Sequence, residues 1–277
     1  MTDTNVRVLV LVAAGTNCDR ETIRAFRQAG AEPDRVHIRE LIDDPSQLES
    51  YHIVAIPGGF SYGDDLGAGR IFGNEIRFLI GERFQQFVDR GGLVLGICNG
   101  FQVLVRSGLL PGGATTRQTV TLSDNDSDRF ECRWTHLDVC SSNSAFLSDE
   151  SETLFLPVAH AEGKFVPDQQ SPGSEHDSYT DNGDSKDGPT FIDQDQVVLK
   201  YTNPDGNDVS YPWNPNGSVG NIAAISDTTG RVLGMMPHPE RFYEEVQHPR
   251  WQRTEFTSRP DGLRIVRNGV EAAANLN

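Results

Sequence analysis

The 277 residues carry 24 Lys and Arg against 40 Asp and Glu, a formal net charge of -16 that repels phosphate backbones and anionic headgroups, so neither nucleic acid nor a membrane surface is expected as a partner. Four cysteines, at 18, 98, 132 and 140, are too few and too unevenly spaced for a disulfide framework, and no apolar run approaches the ~20 residues of a membrane helix. A cytoplasmic protein without a targeting segment is expected, its chain long enough for one large domain, 1–277, with a full core.

In chain order, Val6 to Val12 reads as a strand, Asp19 to Ala29 as a helix with Ile23 and Phe26 on one face, and Arg35 to Ile38 and His52 to Ile56 as strands. A longer helix is predicted from about Asn74 to Arg90, where Ile76, Leu79, Ile80, Phe84, Phe87 and Val88 keep a 3.6-residue period and Gly91-Gly92 supplies the stop. Leu93 to Ile97 is the next strand. The nearly continuous apolar runs suit a parallel sheet covered on both faces, an α/β fold in which sites form at the carboxyl ends of strands. Three glycine-bearing loops fall there: Ala14-Gly15-Thr16-Asn17, Pro57-Gly58-Gly59-Phe60, and the turn at Cys98.

After Pro111 the pattern turns β-rich, around Thr119 to Leu122, Arg129 to Val139, Leu154 to Val158, Val197 to Tyr201, Asn221 to Ile225 and Val232 to Met236, with little helix between, which predicts a mixed extension of the sheet. Residues 168–189 have Tyr179 as their only large apolar side chain and read as a flexible acidic surface insertion.

The chemistry centres on Leu95-Gly96-Ile97-Cys98-Asn99-Gly100-Phe101-Gln102, an apolar strand followed by a cysteine among small residues and then an amphipathic stretch. That is the layout of a nucleophile elbow, where a thiol on a tight strand-to-helix turn meets the N–H groups opening the helix. A thiol nucleophile needs a base and a group to orient it. Met235 to Arg241 offers both: the prolines at 237 and 239 predict an extended segment with His238 and Glu240 on one face. His238 is assigned the proton transfers and Glu240 the holding of its tautomer. Singly, each has a duller reading, a cysteine as a small buried hydrophobe and a His-Pro-Glu turn as solvated loop.

Gly58 and Gly59 let backbone approach a substrate closely, so the N–H groups of Gly59 and Asn99 are candidate oxyanion donors, although a plain tight turn after a strand would look the same. His160-Ala161-Glu162-Gly163 puts two titratable groups before a glycine, as would an exposed strand end. Cys132, His136 and Cys140 are four apart on what reads as a strand, where residues at that spacing lie ~13 Å from each other, and no second Cys or His pair completes four ligands, so no metal site is expected. Asp124 to Asp128 opens like a calcium loop, but Arg129 and Thr135 stand where glycine and glutamate are needed. No phosphate loop of the Gly-Lys-Ser type appears, so ATP binding by this chain is not expected.

Gly15-Thr16-Asn17-Cys18-Asp19, Ile56-Pro57-Gly58-Gly59-Phe60-Ser61-Tyr62-Gly63-Asp64, Gly96-Ile97-Cys98-Asn99-Gly100-Phe101-Gln102, Pro157-Val158-Ala159-His160, Asn216-Gly217-Ser218 and Gly234 to Arg241 together resemble the class I glutamine amidotransferases, in the version carried by subunit I, the glutaminase subunits of phosphoribosylformylglycinamidine synthases. The resemblance spans nearly the whole chain. It implies a flavodoxin-like fold with a largely parallel central sheet, and a Cys98, His238, Glu240 triad that hydrolyses glutamine through a thioester, with Gln102 and His160 among the substrate contacts. It further implies a separate synthetase subunit that spends ATP, with Mg, on formylglycinamide ribonucleotide, a small bridging subunit, and no cofactor on this chain. Ala161 stands where the family commonly has glycine, and Arg70 follows where an arginine near 67 is more usual. The rival classes are a cysteine peptidase or other hydrolase on a similar sheet, and a catalytically silent regulatory module.

Overall fold

The computed structural model describes residues 5–112, 118–147, 153–167, 194–254, 256 and 258–275; the acidic stretch at 168–189 lies outside them. Elements run β1 (Arg7–Val12), α1 (Asp19–Gln28), β2 (Glu32–His37), α2 (Ile38–Asp43), β3 (Ile53–Ile56), α3 (Arg70–Glu75), a π turn (Ile76–Ile80), α4 (Gly81–Asp89), β4 (Leu93–Ile97) and α5 (Asn99–Ser107). There follow β5 (Val120–Asp124), β6 (Glu131–Val139), β7 (Leu154–His160), β8 (Glu162–Pro167), β9 (Val197–Thr202), β10 (Ile222–Ser226), β11 (Val232–Met235) and α6 (Asp261–Asn275).

One nine-stranded sheet has the order β2-β1-β3-β4-β11-β10-β9-β6-β7. Its first five strands are parallel, in the 2-1-3-4-5 order of flavodoxin-like sheets. From β11 onward every pairing is antiparallel, while β5 and β8 form a separate antiparallel pair. The central strands β1, β3, β4 and β11 are buried almost throughout because helices cover both faces. At the outer edge, β7 alternates buried and half-buried residues, as a strand with one wetter face does.

Several expectations need correction. The strand expected at Arg35 begins at Glu32, because an edge position tolerates the charges and Pro33 of Glu-Pro-Asp-Arg-Val-His. The helix expected from Asn74 is interrupted by the π turn, whose wider winding rotates the face: Leu79, expected inside, is exposed beside Phe78. Between β5 and β11 only short 3-10 turns occur among the described residues, as expected, but the helix that follows them was not anticipated. α6 buries Leu263, Val266, Val270 and Ala273 at spacings of three and four, packing on α1, β3 and β7.

The carboxyl ends of β1, β3, β4 and β11 lie together, and α5 packs on β3, β4 and β11. That close approach depends on Gly100, where a β-carbon would lie 1.9 Å from the Ile56 carbonyl oxygen. The elbow is thereby pressed onto the end of β3, beside the loop that begins at Pro57.

Candidate active site

Cys98 takes φ +52° and ψ -104°, in the left-handed half of backbone space that a β-carbon disfavours. Hydrogen bonds impose the turn: its N–H donates to Met235 O at 2.8 Å, and its carbonyl accepts from the N–H groups of Phe101 and Gln102 at 3.0 and 3.2 Å. The thiol is 5% exposed and lies 3.6 Å from the Ala159 carbonyl oxygen at the end of β7.

His238 and Glu240 are brought together as expected, by a different route. The segment is extended only to His238, after which Pro239–Arg241 forms a tight 3-10 turn closed by Arg241 N–H to His238 O at 3.2 Å. The turn brings Glu240 Oε1 within 2.6 Å of His238 Nδ1, with both side chains almost wholly buried. Burial alone would lower the imidazole, but the Glu240 charge and the sulfurs of Cys98 and Cys18 outweigh it, holding His238 well above its ordinary range. Its Nε2 and the second Glu240 oxygen are buried with no hydrogen-bond partner. His238 N–H donates to Pro157 O at 2.8 Å, which ties β7 to the site.

Gly58 faces this arrangement directly: a β-carbon there would sit 2.8 Å from His238 Cε1, 3.4 Å from Cys18 Sγ and 3.5 Å from Cys98 Cβ. Gly59 has φ +151° and pairs with Thr16, while Gly58 O accepts from Asn17 and Cys18, so the loops after β1 and β3 are pinned to each other. The Asn99 N–H is the first of α5 and has no intrahelical acceptor. The Asn99 amide accepts from Ser61 N–H and donates to Asp64 Oδ1 and Gln102 Oε1, and Gln102 Nε2 donates to Glu162 O at 2.5 Å. Gln102 thus joins α5 to the start of β8.

His160 is 3% exposed and hydrogen-bonded through Nδ1 to Asn125 Oδ1 at 3.0 Å. Because the Asn125 amide nitrogen already donates to Arg129 O and His160 O, its oxygen faces the ring, Nδ1 carries the proton, and the unpartnered Nε2 is an acceptor. Burial, with the His238 charge nearby, pushes this imidazole down to about 3, so it is neutral. Ala161 is exposed and does not take a positive φ, so its β-carbon fits where β7 hands over to β8. Asp124 ends β5 and Asn125 is the buried tether just described, so this turn serves the site without ligating.

Besides Asn125, sequence reasoning missed Cys18 as a residue of the site. It precedes α1, is 2% exposed, and accepts a hydrogen bond from Arg241 Nη2 at 3.1 Å. Its sulfur, a ring nitrogen of His238 and a carboxylate oxygen of Glu240 lie within 4.8 Å of one another, the sole such group of three among the described residues. Cys132, His136 and Cys140 form no such group there. Its loop was marked by following a parallel strand at the carboxyl end, but nothing in the sequence singled out this cysteine.

Residues 5–271 match the profile of the family described as the CobB/CobQ-like glutamine amidotransferase domain. The chain is 45% identical over 272 residues to the phosphoribosylformylglycinamidine synthase subunit PurQ of Dehalococcoides mccartyi, covering 98% of this chain and 99% of that one. It is 38% identical to the corresponding subunit of Methanococcus maripaludis strain S2, with 96% of each covered. Among solved structures it resembles a chain in the structure of PurLQS from Thermotoga maritima, with TM-score 0.69, 31% identity, and 96% and 98% of the two chains covered. The glutaminase domain of Trypanosoma brucei CTPS shares the fold at TM-score 0.54 and 14% identity.

Proposed function

The chain belongs to the CobB/CobQ-like glutamine amidotransferase family, and from its likeness along nearly its whole length to phosphoribosylformylglycinamidine synthase subunits we propose that it is the glutaminase subunit of such a synthase. It releases ammonia from glutamine for a synthetase subunit, with a small bridging subunit completing the complex. ATP and Mg act on the synthetase, which aminates formylglycinamide ribonucleotide. We treat 1–277 as one amidotransferase domain working in the cytoplasm; no helix among the described residues is long and apolar enough to cross a membrane.

The observation that carries the reading is a buried imidazole-carboxylate pair, 2.6 Å apart, beside a thiol on a positive-φ elbow. In the proposed cycle Cys98 sulfur attacks the side-chain carboxamide carbon of glutamine, and the oxygen's growing charge is met by the N–H groups of Asn99 and Gly59. His238, charged against Glu240, gives its proton to the departing nitrogen, so the carbon–nitrogen bond breaks as ammonia and a thioester remains. It then takes a proton from water, whose oxygen displaces the sulfur to give glutamate. Gly58 leaves room for the carboxamide between the sulfur and the ring; Gln102 and His160 offer donor and acceptor groups to the rest of glutamine.

The test uses the complex with the synthetase subunit. Cys98→Ala and His238→Ala are expected to lose glutamine-dependent synthesis by at least about 10³-fold while keeping synthesis from added ammonia. Retention of the glutamine-dependent rate would overturn the assignment, and peptide cleavage without glutaminase activity would favour the peptidase class.

A further inference from the structure

Cys18 is a buried nucleophile that the proposed cycle does not use, yet its sulfur shares a cluster with His238 and Glu240. From this geometry we propose that Cys18, His238 and Glu240 hold a thiophilic divalent cation, of the zinc class, which withdraws the imidazole and carboxylate from catalysis and turns the enzyme off reversibly.

The donor set is one sulfur, one imidazole nitrogen and one carboxylate oxygen, a combination that suits zinc and not magnesium or calcium, which want several oxygens. Zinc bonds of about 2.0–2.3 Å to these atoms place tetrahedral donors roughly 3.5 Å apart. The observed separations, all within 4.8 Å, need only small side-chain adjustments to close. The donors are engaged through protons that a cation would replace, His238 Nδ1 with Glu240 Oε1 at 2.6 Å and the Cys18 thiol with Asn17 Oδ1 at 3.2 Å. Arg241 holds the sulfur at 3.1 Å, but its side chain is 36% exposed and can turn outward. The fourth position falls to water or to Cys98, which faces Cys18 across the space that a side chain at Gly58 would fill. The exchange balances: the dication enters, the Cys18 thiol proton and one imidazolium proton leave to solvent, and the charge of the buried cluster is unchanged.

The binding claim stands without the glutaminase reading; the inhibition rests on it. Metal-stripped full-length protein is titrated with Zn²⁺ and, as a spectroscopic probe, Co²⁺, with Mg²⁺ as control. One equivalent of Co²⁺ is expected to give thiolate-to-cobalt charge-transfer absorption even in Cys98→Ala, where Cys18 must supply the sulfur. Cys18→Ser, checked for folding by its melting curve, should weaken Zn²⁺ binding at least tenfold, as should Glu240→Gln, whereas Cys132→Ser should not. Glutamine hydrolysis by the wild type should fall with one equivalent of Zn²⁺ and return with chelator. Absence of stoichiometric binding, or binding indifferent to both Cys18→Ser and Glu240→Gln, would overturn the site. Stoichiometric binding in a protein that, when metal-free, shows no glutaminase activity would instead count against the proposed function alone.

Discussion

At the scale of single residues, the elbow and its partners divide the work between strain and charge. Cys98 is held at positive φ by hydrogen bonds from β11 and α5, and His238 keeps its charge because Glu240 lies 2.6 Å away in a buried setting. Glu240→Gln removes that charge and leaves only the sulfurs of Cys98 and Cys18 to oppose burial, so the apparent pKa of the His238 ring should fall, as read by NMR titration. The glutaminase kcat should drop by roughly 10³–10⁴-fold, the scale seen when the orienting carboxylate of a triad is neutralised. An unchanged ring titration would contradict the electrostatic account. That Cys98, His238 and Glu240 would be placed near one another was legible, because an elbow and a Pro-His-Pro-Glu run are local patterns. Cys18 and Asn125 were not: their importance lies in what the fold sets beside them, Arg241 and His238 in one case and His160 in the other.

Among elements, the site depends on how closely α5 approaches the end of β3. Gly100→Ala would place a carbon 1.9 Å from the Ile56 carbonyl, and the backbone oxygen cannot rotate away as a side chain would. A loss of about 1–3 kcal/mol is expected from such overpacking, measured by denaturant unfolding, together with a weakened glutaminase because Cys98, the proposed nucleophile, caps the same helix. Unaltered stability would show that α5 can shift freely. The buried parallel strands were readable because a strand covered on both faces must be apolar without a break, and that requirement is written in the order of its residues. The edge strand β2 and the strand β8 were harder, since neighbours supply pairing that their own composition does not advertise. The π turn was invisible to a strict 3.6-residue count, and α6 was missed although its apolar spacing was there to read.

For the molecule as a whole, two buried histidines make opposite contributions to the dependence of stability on pH. His160 is pushed down to about 3, so between that value and the ordinary ~6.5 the unfolded chain binds a proton that the folded one refuses, and stability is lost as pH falls through this window. His238 is raised; it adds stability below the unfolded value and loses it as pH climbs through the folded one. His160→Gln should therefore flatten the acid limb of the stability curve by up to about 1.4 kcal/mol per pH unit, measured by urea unfolding between pH 3 and 6.5. An equally steep limb in the variant would mean that His160 is not kept neutral by burial.

The position of β11 has a consequence for synthesis on the ribosome. Residues Val232–Met235 fill the slot between β4 and β10, and His238 follows them after Met236 and Pro237. A nascent chain already carrying Cys98 therefore lacks both the central strand beside it and His238 until the 140 positions that separate the two have been synthesised. Under the proposed cycle, polypeptides that stop short of His238 are inert toward glutamine.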